Sequence, residues 1–71
     1  MKAVIYIRKN CHLCEEAINF FKTKKEMIEI EIIDIDSSKE LINQYNDFIP
    51  VIQYNNQIFH APVDYKKLEQ I

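Results

Sequence analysis

Residues 3–21 read AVIYIRKNCHLCEEAINFF, and this stretch contains the change of pattern that decides the fold. Residues 3–7 form a short apolar run rich in β-branched side chains, which predicts a buried strand. Beyond Cys11 the apolar residues recur at helical spacing, at positions Cys14, Ala17, Ile18 and Phe21. We therefore expect a strand that leads directly into an amphipathic helix, with Asn10 as the N-cap residue.

A second strand and helix are predicted in the middle of the chain. Residues 28–35 begin with alternating isoleucine and glutamate, which is typical of a half-exposed strand. Ser37 and Glu40 fit a capping box and predict the start of a second helix. Its apolar stripe would consist of Leu41, Ile42 and Tyr45, and it would end at residues 46–47.

The last third predicts a hairpin and a short helix. Residues 51–54 and 57–59 are β-like runs separated by Asn55 and Asn56. Asparagine tolerates positive φ, so these two residues can make a hairpin turn in a chain that has no glycine. Pro62 suits the first turn of a final helix, whose buried side would be Val63, Leu68 and Ile71.

The predicted order of elements is β-α-β-α-β-β-α. The first three strands alternate with helices, which favours parallel pairing among them, while the hairpin adds an antiparallel strand. We therefore expect an α/β fold with a four-stranded mixed sheet and three helices on its two faces. A chain of 71 residues has room for one domain, spanning residues 1–71.

Composition excludes several classes of function. The formal net charge is −2, so the basic surplus of a nucleic-acid-binding protein is missing. No apolar run approaches the roughly 20 residues of a membrane span. The apolar stretch at residues 3–7 is too short for the core of a signal peptide. We expect a cytoplasmic monomer that binds neither nucleic acid nor membranes.

Cys11 and Cys14 are the two cysteines of the chain. A bridge between them would close a four-residue loop, worth only about 2 kcal/mol in the chain-entropy model, which favours a chemical role. The N-terminus of a helix stabilises a thiolate and lowers the pKa of a thiol placed there. The thiolate is the species that attacks disulfides. Cys11 is the expected nucleophile, and Cys14, nearer the core, is the expected resolving thiol.

Other interpretations of the cysteine pair stay open. A structural zinc ion needs four ligands, and His12 and His60 are the only histidines that could join the two cysteines. Pairs of cysteines from two chains could hold a metal or cluster in a dimer. The two cysteines could also be inert buried residues. The position between a strand and a helix favours redox chemistry over these alternatives.

Three features of the sequence resemble the thioredoxin superfamily, and in particular its small glutaredoxin-like proteins. They are the Cys11-His12-Leu13-Cys14 motif at the first strand–helix junction, the Ile49-Pro50 pair before the third strand, and the order of elements. The resemblance implies that Pro50 is cis and faces the cysteines. It also implies that the backbone of Ile49 pairs with an incoming thiol or peptide like an added strand.

The same resemblance suggests a binding site for substrate or glutathione that comprises Arg8, His12, Leu13, Ile49 and Pro50. A basic residue three positions before the first cysteine helps to bind glutathione in glutaredoxins. Arg8 occupies that position, although it also reads as an ordinary solvated charge at a strand end. Residues 59–64 read FHAPVD and lack the glycine pair that lets glutathione approach the backbone in those proteins.

The function implied is that of a dithiol-disulfide oxidoreductase without a bound cofactor. It would reduce a disulfide-containing protein or a glutathione mixed disulfide. Glutathione or a thioredoxin-type reductase would then restore its two thiols. The alternative is a non-catalytic binding module with a thioredoxin fold, which the missing glycine pair favours.

Overall fold

The computed structural model describes residues 1–71. The strands are β1 (Lys2–Ile7), β2 (Glu29–Asp34), β3 (Val51–Tyr54) and β4 (Gln57–His60), and the helices are α1 (His12–Lys24), α2 (Lys39–Tyr45) and α3 (Tyr65–Gln70), with one 3₁₀ turn at Ile35–Ser37. The predicted order β-α-β-α-β-β-α is confirmed. No helix has the length and apolar character that crossing a membrane requires.

The four strands form one mixed sheet in the order β2-β1-β3-β4. β1 and β2 are parallel, with Ala3 opposite Ile30. β3 is antiparallel to β1, with Val51 opposite Tyr6, and β4 is antiparallel to β3. The prediction of a mixed sheet is confirmed, but the expectation that the first three strands are all parallel is wrong for β3.

The connection between β2 and β3 comprises residues 35–50 and includes the 3₁₀ turn and α2. The chain re-enters the sheet at the end where β2 leaves it, and Val51 lies beside Tyr6 near the end of β1.

The core lies between one face of the sheet and the helices α1 and α3. Its eight buried residues come from three strands and these two helices: Ala3, Ile5, Ala17, Phe21, Ile52, Tyr54, Phe59 and Leu68. On the other face the ring of Tyr6 packs on that of Tyr45 in α2, with centroids 4.5 Å apart. Helices thus cover both faces, as predicted. Only 12 of 71 residues are buried, so the core is small for a folded domain.

The N-cap of α1 differs from the prediction by one residue. Asn10 has φ 59, which is the left-handed region. A helix N-cap instead has extended backbone, and Cys11 meets this requirement with φ −101 and ψ 106. Asn10 therefore makes the turn that precedes the helix, and Cys11 begins it.

The N-cap of α2 is displaced in the same way. The Ser38 hydroxyl accepts a hydrogen bond from the Glu40 amide at 3.2 Å, so Ser38 is the cap. Ser37, the predicted cap, donates its hydroxyl proton to the Asp34 carbonyl at 2.7 Å. That contact belongs to the 3₁₀ turn, which also ends β2 one residue before Ile35.

The last helix starts later than predicted. Pro62 follows a cis peptide bond and precedes α3, so it is not a residue of the helix's first turn. The Asp64 carboxylate accepts from the Lys67 amide at 3.2 Å and caps the helix at Tyr65. Leu68 is fully buried, while Val63 and Ile71 are half-buried and pack against the core.

The turn between β3 and β4 confirms the predicted use of asparagine in place of glycine. Asn55 has φ 54 and Asn56 has φ 61. Two successive residues with positive φ in a two-residue loop give a type I′ turn, whose twist matches that of the strands it joins. The turn sets Tyr54 opposite Gln57, and thereby the register of the hairpin.

We predict that Asn56→Ala lowers the free energy of unfolding by about 1 kcal/mol, because a residue with a Cβ pays a steric penalty in the left-handed region. Asn56→Gly is the matched control and should be at least as stable as the wild type, since glycine has no such penalty. Urea unfolding followed by circular dichroism measures both. Equal stability of the alanine and glycine variants would contradict the assignment of strain to this turn.

Candidate functional site

Cys11 and Cys14 form a disulfide at the start of α1, with their Cα atoms 5.2 Å apart. Cys11 is half-buried at the N-cap, whereas Cys14 is only 2% exposed. The Cys14 amide donates a hydrogen bond to the Cys11 sulfur at 3.1 Å. The Cys11 sulfur therefore occupies the position at which the free amides and the dipole of the helix favour negative charge.

Local sequence explains why the pair has this geometry. β1 ends at Ile7, and the left-handed Asn10 turns the chain into the helix. In an α-helix, residues three apart lie on the same face, so Cys14 returns beneath the N-cap. Its backbone amide is one of the donors that lack a partner within the helix. The Cys11 sulfur supplies that partner.

The second part of the predicted site is also present. The Ile49–Pro50 peptide bond is cis, as the resemblance implied, and Pro50 is buried. Pro50 and Leu13 line a common pocket of about 210 Å³, which we call the Pro50 pocket. Its lining is Leu13, Glu16, Pro50, Ala61, Pro62, Val63 and Tyr65. The structure thus brings the loop between the cysteines and the proline together at one surface, while Ile49 lies beside Pro50 without lining the pocket.

The segment around residues 61–65 is the part of the site that sequence reasoning missed. Its proline predicts the start of a helix, yet the segment forms one wall of the Pro50 pocket. Tyr65 packs against Phe20 of α1 with ring centroids 5.0 Å apart, which holds the segment beside the site. Burial raises the pKa of Tyr65, and the charge of Glu16 raises it further. No local pattern marks this contact, because it joins residues far apart in the chain.

Arg8 binds two other residues of the chain, and its side chain is 38% exposed. Its Nε lies 3.1 Å and its Nη2 2.9 Å from Asp36 Oδ1, and its Nη1 donates to Asn46 Oδ1. These bonds tie the end of β1 to the segments on either side of α2. The hydrogen bond from Arg8 is the main reason that the pKa of Asp36 lies below its ordinary value. Arg8 is thus a partly exposed, ion-paired residue at the end of β1, and its role in binding glutathione stays a prediction.

The side chains of His12 and Leu13, the two residues between the cysteines, have different surroundings. The side chain of His12 is 84% exposed, with Nδ1 3.8 Å from Glu15 Oε2 and Nε2 3.7 Å from Glu16 Oε1. Leu13 is 51% exposed and lines the Pro50 pocket. Of the two residues between the cysteines, Leu13 is therefore the one that a molecule bound in the pocket would touch.

The family model of the Glutaredoxin-like domain (DUF836) matches residues 2–71. The chain belongs to this family. No curated protein and no solved structure gives a match to it. The family match supports the glutaredoxin-like, thioredoxin-superfamily fold derived above. The Cys11–Cys14 pair of this glutaredoxin-like domain fits a redox role.

We predict that Asp36→Asn lowers the melting temperature of this glutaredoxin-like domain at neutral pH. A carboxyl group whose pKa is lowered by folding stabilises the fold above its unfolded pKa, here 3.8, and the stabilisation is lost as pH falls through the folded value. The difference between wild type and variant should therefore be present at pH 6 and disappear on acidification below pH 3.8.

Asp47→Asn is the matched control for this measurement. Asp47 lies in the neighbouring turn and makes only one long hydrogen bond, 3.5 Å to the side chain of Asn46. Its replacement should leave the melting temperature nearly unchanged across the pH range. A deficit of Asp36→Asn that stayed constant down to pH 2.5 would contradict the role given to the Arg8 pair.

Proposed function

We propose that this protein is a dithiol-disulfide oxidoreductase in which Cys11 is the nucleophile and Cys14 the resolving thiol. The observation that carries the proposal is the Cys11 sulfur at the N-cap of α1, where it accepts the Cys14 amide at 3.1 Å. After reduction, a Cys11 thiolate at the same position would accept the same hydrogen bond and face the same helix dipole. Both favour the charged form that attacks disulfides.

The reaction consists of two thiol-disulfide exchanges. The Cys11 thiolate attacks one sulfur of the substrate disulfide, a new S–S bond forms, and the other substrate sulfur leaves as a thiolate. Cys14 then loses its proton and attacks the Cys11 sulfur, which releases the second substrate thiol. The substrate gains two electrons and two protons, and the protein ends with the Cys11–Cys14 disulfide.

The difference in exposure between the two sulfurs supports these roles. A substrate can reach the half-buried Cys11 from solvent, whereas Cys14 is 2% exposed. A thiol buried beneath the nucleophile is placed to attack the mixed disulfide and is shielded from attack by other molecules. The N-cap also gives its electrostatic stabilisation to Cys11, since the effect declines within the first turn.

The proposed cycle needs a partner but no bound cofactor. The substrate is a disulfide-containing protein or a glutathione mixed disulfide. Glutathione or a thioredoxin-type reductase supplies the electrons that restore the dithiol. We propose that the protein acts as a monomer, because one chain contains both cysteines and the cis proline, and that it acts in the cytoplasm.

We predict that Cys11→Ser abolishes turnover of a low-molecular-weight disulfide, because no thiolate remains at the N-cap. Cys14→Ser should instead accumulate a mixed disulfide with the substrate, since nothing resolves it. Mass spectrometry after thiol trapping distinguishes the two variants, and circular dichroism under reducing conditions establishes that both are folded. The opposite pattern, with trapping in Cys11→Ser, would show that the roles are reversed.

A redox titration of the wild-type protein in glutathione buffers tests the cycle itself. We expect a reversible loss of two hydrogens, which corresponds to the Cys11–Cys14 couple. A non-catalytic module would show the same couple without turnover of any disulfide. If both thiols stay free across the whole range of glutathione buffers, the proposed function is refuted.

A further inference from the structure

The Pro50 pocket is lined by a residue from between the two cysteines and has a defined size. Leu13, which lines it, is a residue of the loop between the two cysteines. Its volume of about 210 Å³ lies below the roughly 300–1,000 Å³ of pockets that bury a whole small-molecule ligand. An apolar cavity of about 150 Å³ holds a benzene ring. The pocket therefore suits one large apolar side chain that belongs to a larger partner.

The chemistry of the lining agrees with an apolar occupant. Leu13, Pro50, Pro62 and Val63 supply aliphatic surface, and Tyr65 supplies an aromatic ring. Placing a large apolar side chain against such surface removes apolar area of both partners from water, which favours binding. A polar side chain of the same length would bury less apolar area and would therefore gain less binding free energy.

The charge at the pocket is negative. Glu16 is the one charged residue in its lining, and its side chain is 52% exposed, so its carboxylate can reach a bound partner. The lining contains no cation. Arg8 does not line the pocket, and its charge is paired with that of Asp36.

We propose that the Pro50 pocket selects protein disulfides in which a large apolar residue and a basic residue flank the reacting cysteine, in preference to glutathione disulfides. The proposal rests on the proposed function, because it concerns the substrate of the same cysteine pair. The apolar side chain enters the pocket and the basic side chain lies beside Glu16. Glutathione carries two carboxylates and has no large apolar side chain, so it meets neither requirement.

The test uses the full chain with Cys14→Ser, so that the readout does not depend on the reduction potential of the couple. Each substrate is a symmetric disulfide, and the rate of its mixed disulfide with Cys11 is followed by acid quenching and mass spectrometry. The substrates are dimers of acetyl-Lys-Leu-Cys-Leu-Lys-amide, of its variant with serine for leucine, and of its variant with glutamate for lysine. Oxidised glutathione and hydroxyethyl disulfide complete the set.

We expect the leucine-lysine peptide to react about tenfold faster than the serine-lysine peptide, because an apolar side chain is buried. It should react about threefold or more faster than the leucine-glutamate peptide, as expected for an exposed charge pair. It should also react faster than oxidised glutathione. Rates are divided by the rate with hydroxyethyl disulfide, which normalises for the reactivity of the Cys11 thiolate. The assay is run at pH 8 for all substrates.

Glu16→Gln and Glu15→Gln form a matched pair of variants. Both glutamates are exposed and lie near His12, but only Glu16 lines the pocket. Glu16→Gln should bring the ratio of the normalised rates of the lysine and glutamate peptides close to one. Glu15→Gln should keep the wild-type ratio. Both variants change the charge near Cys11, so a general effect on the thiolate would appear equally in the two.

The outcomes separate this inference from the proposed function. Equal normalised rates for leucine and serine peptides, or oxidised glutathione reacting as fast as the best peptide, would overturn the selectivity and leave the redox function standing. A preference for the lysine peptide over the glutamate peptide that Glu16→Gln does not change would also overturn the selectivity and leave the redox function standing. No adduct with any disulfide, hydroxyethyl disulfide included, would overturn the proposed function and this inference with it.

Discussion

The hydrogen bond from the Cys14 amide to the Cys11 sulfur is the contact on which the site depends. It begins the first helix on a sulfur atom in place of the oxygen that most N-cap residues use. The same bond therefore contributes to the stability of the helix and to the chemistry of the thiol. Because the cap is also the proposed nucleophile, substitution of Cys11 affects both, and a folding control is needed before any loss of activity is assigned to chemistry.

The chain reaches this arrangement without glycine. Asparagine occupies the three positions with positive φ, which are Asn10, Asn55 and Asn56. Its short polar side chain makes the left-handed region less costly than it is for other residues with a Cβ. One of these asparagines turns the chain into the helix that bears the cysteines, and the other two set the register of the hairpin.

The fold was predictable where it depends on local patterns. The elements followed from periodicity, and the hairpin followed from Asn55 and Asn56. The two helix caps were displaced by one residue because neighbouring residues of suitable type compete, as Ser37 and Ser38 do, and the choice depends on backbone geometry. The predicted direction of β3 was wrong because the alternation of strands and helices does not by itself fix the direction in which the chain re-enters the sheet.

The candidate site likewise has residues that the sequence indicates and contacts that it does not. Cys11, Cys14 and Pro50 belong to short motifs, so sequence alone could indicate them. The partner of Arg8 could not be found from sequence, since Asp36 lies 28 positions away. That pair changes the expected role of Arg8, because its charge is already balanced by a carboxylate of the chain. With Arg8 paired and Glu16 in the lining of the Pro50 pocket, the charges favour an anionic tripeptide less than a free arginine would. The selectivity that we propose therefore rests on the apolar lining of the pocket.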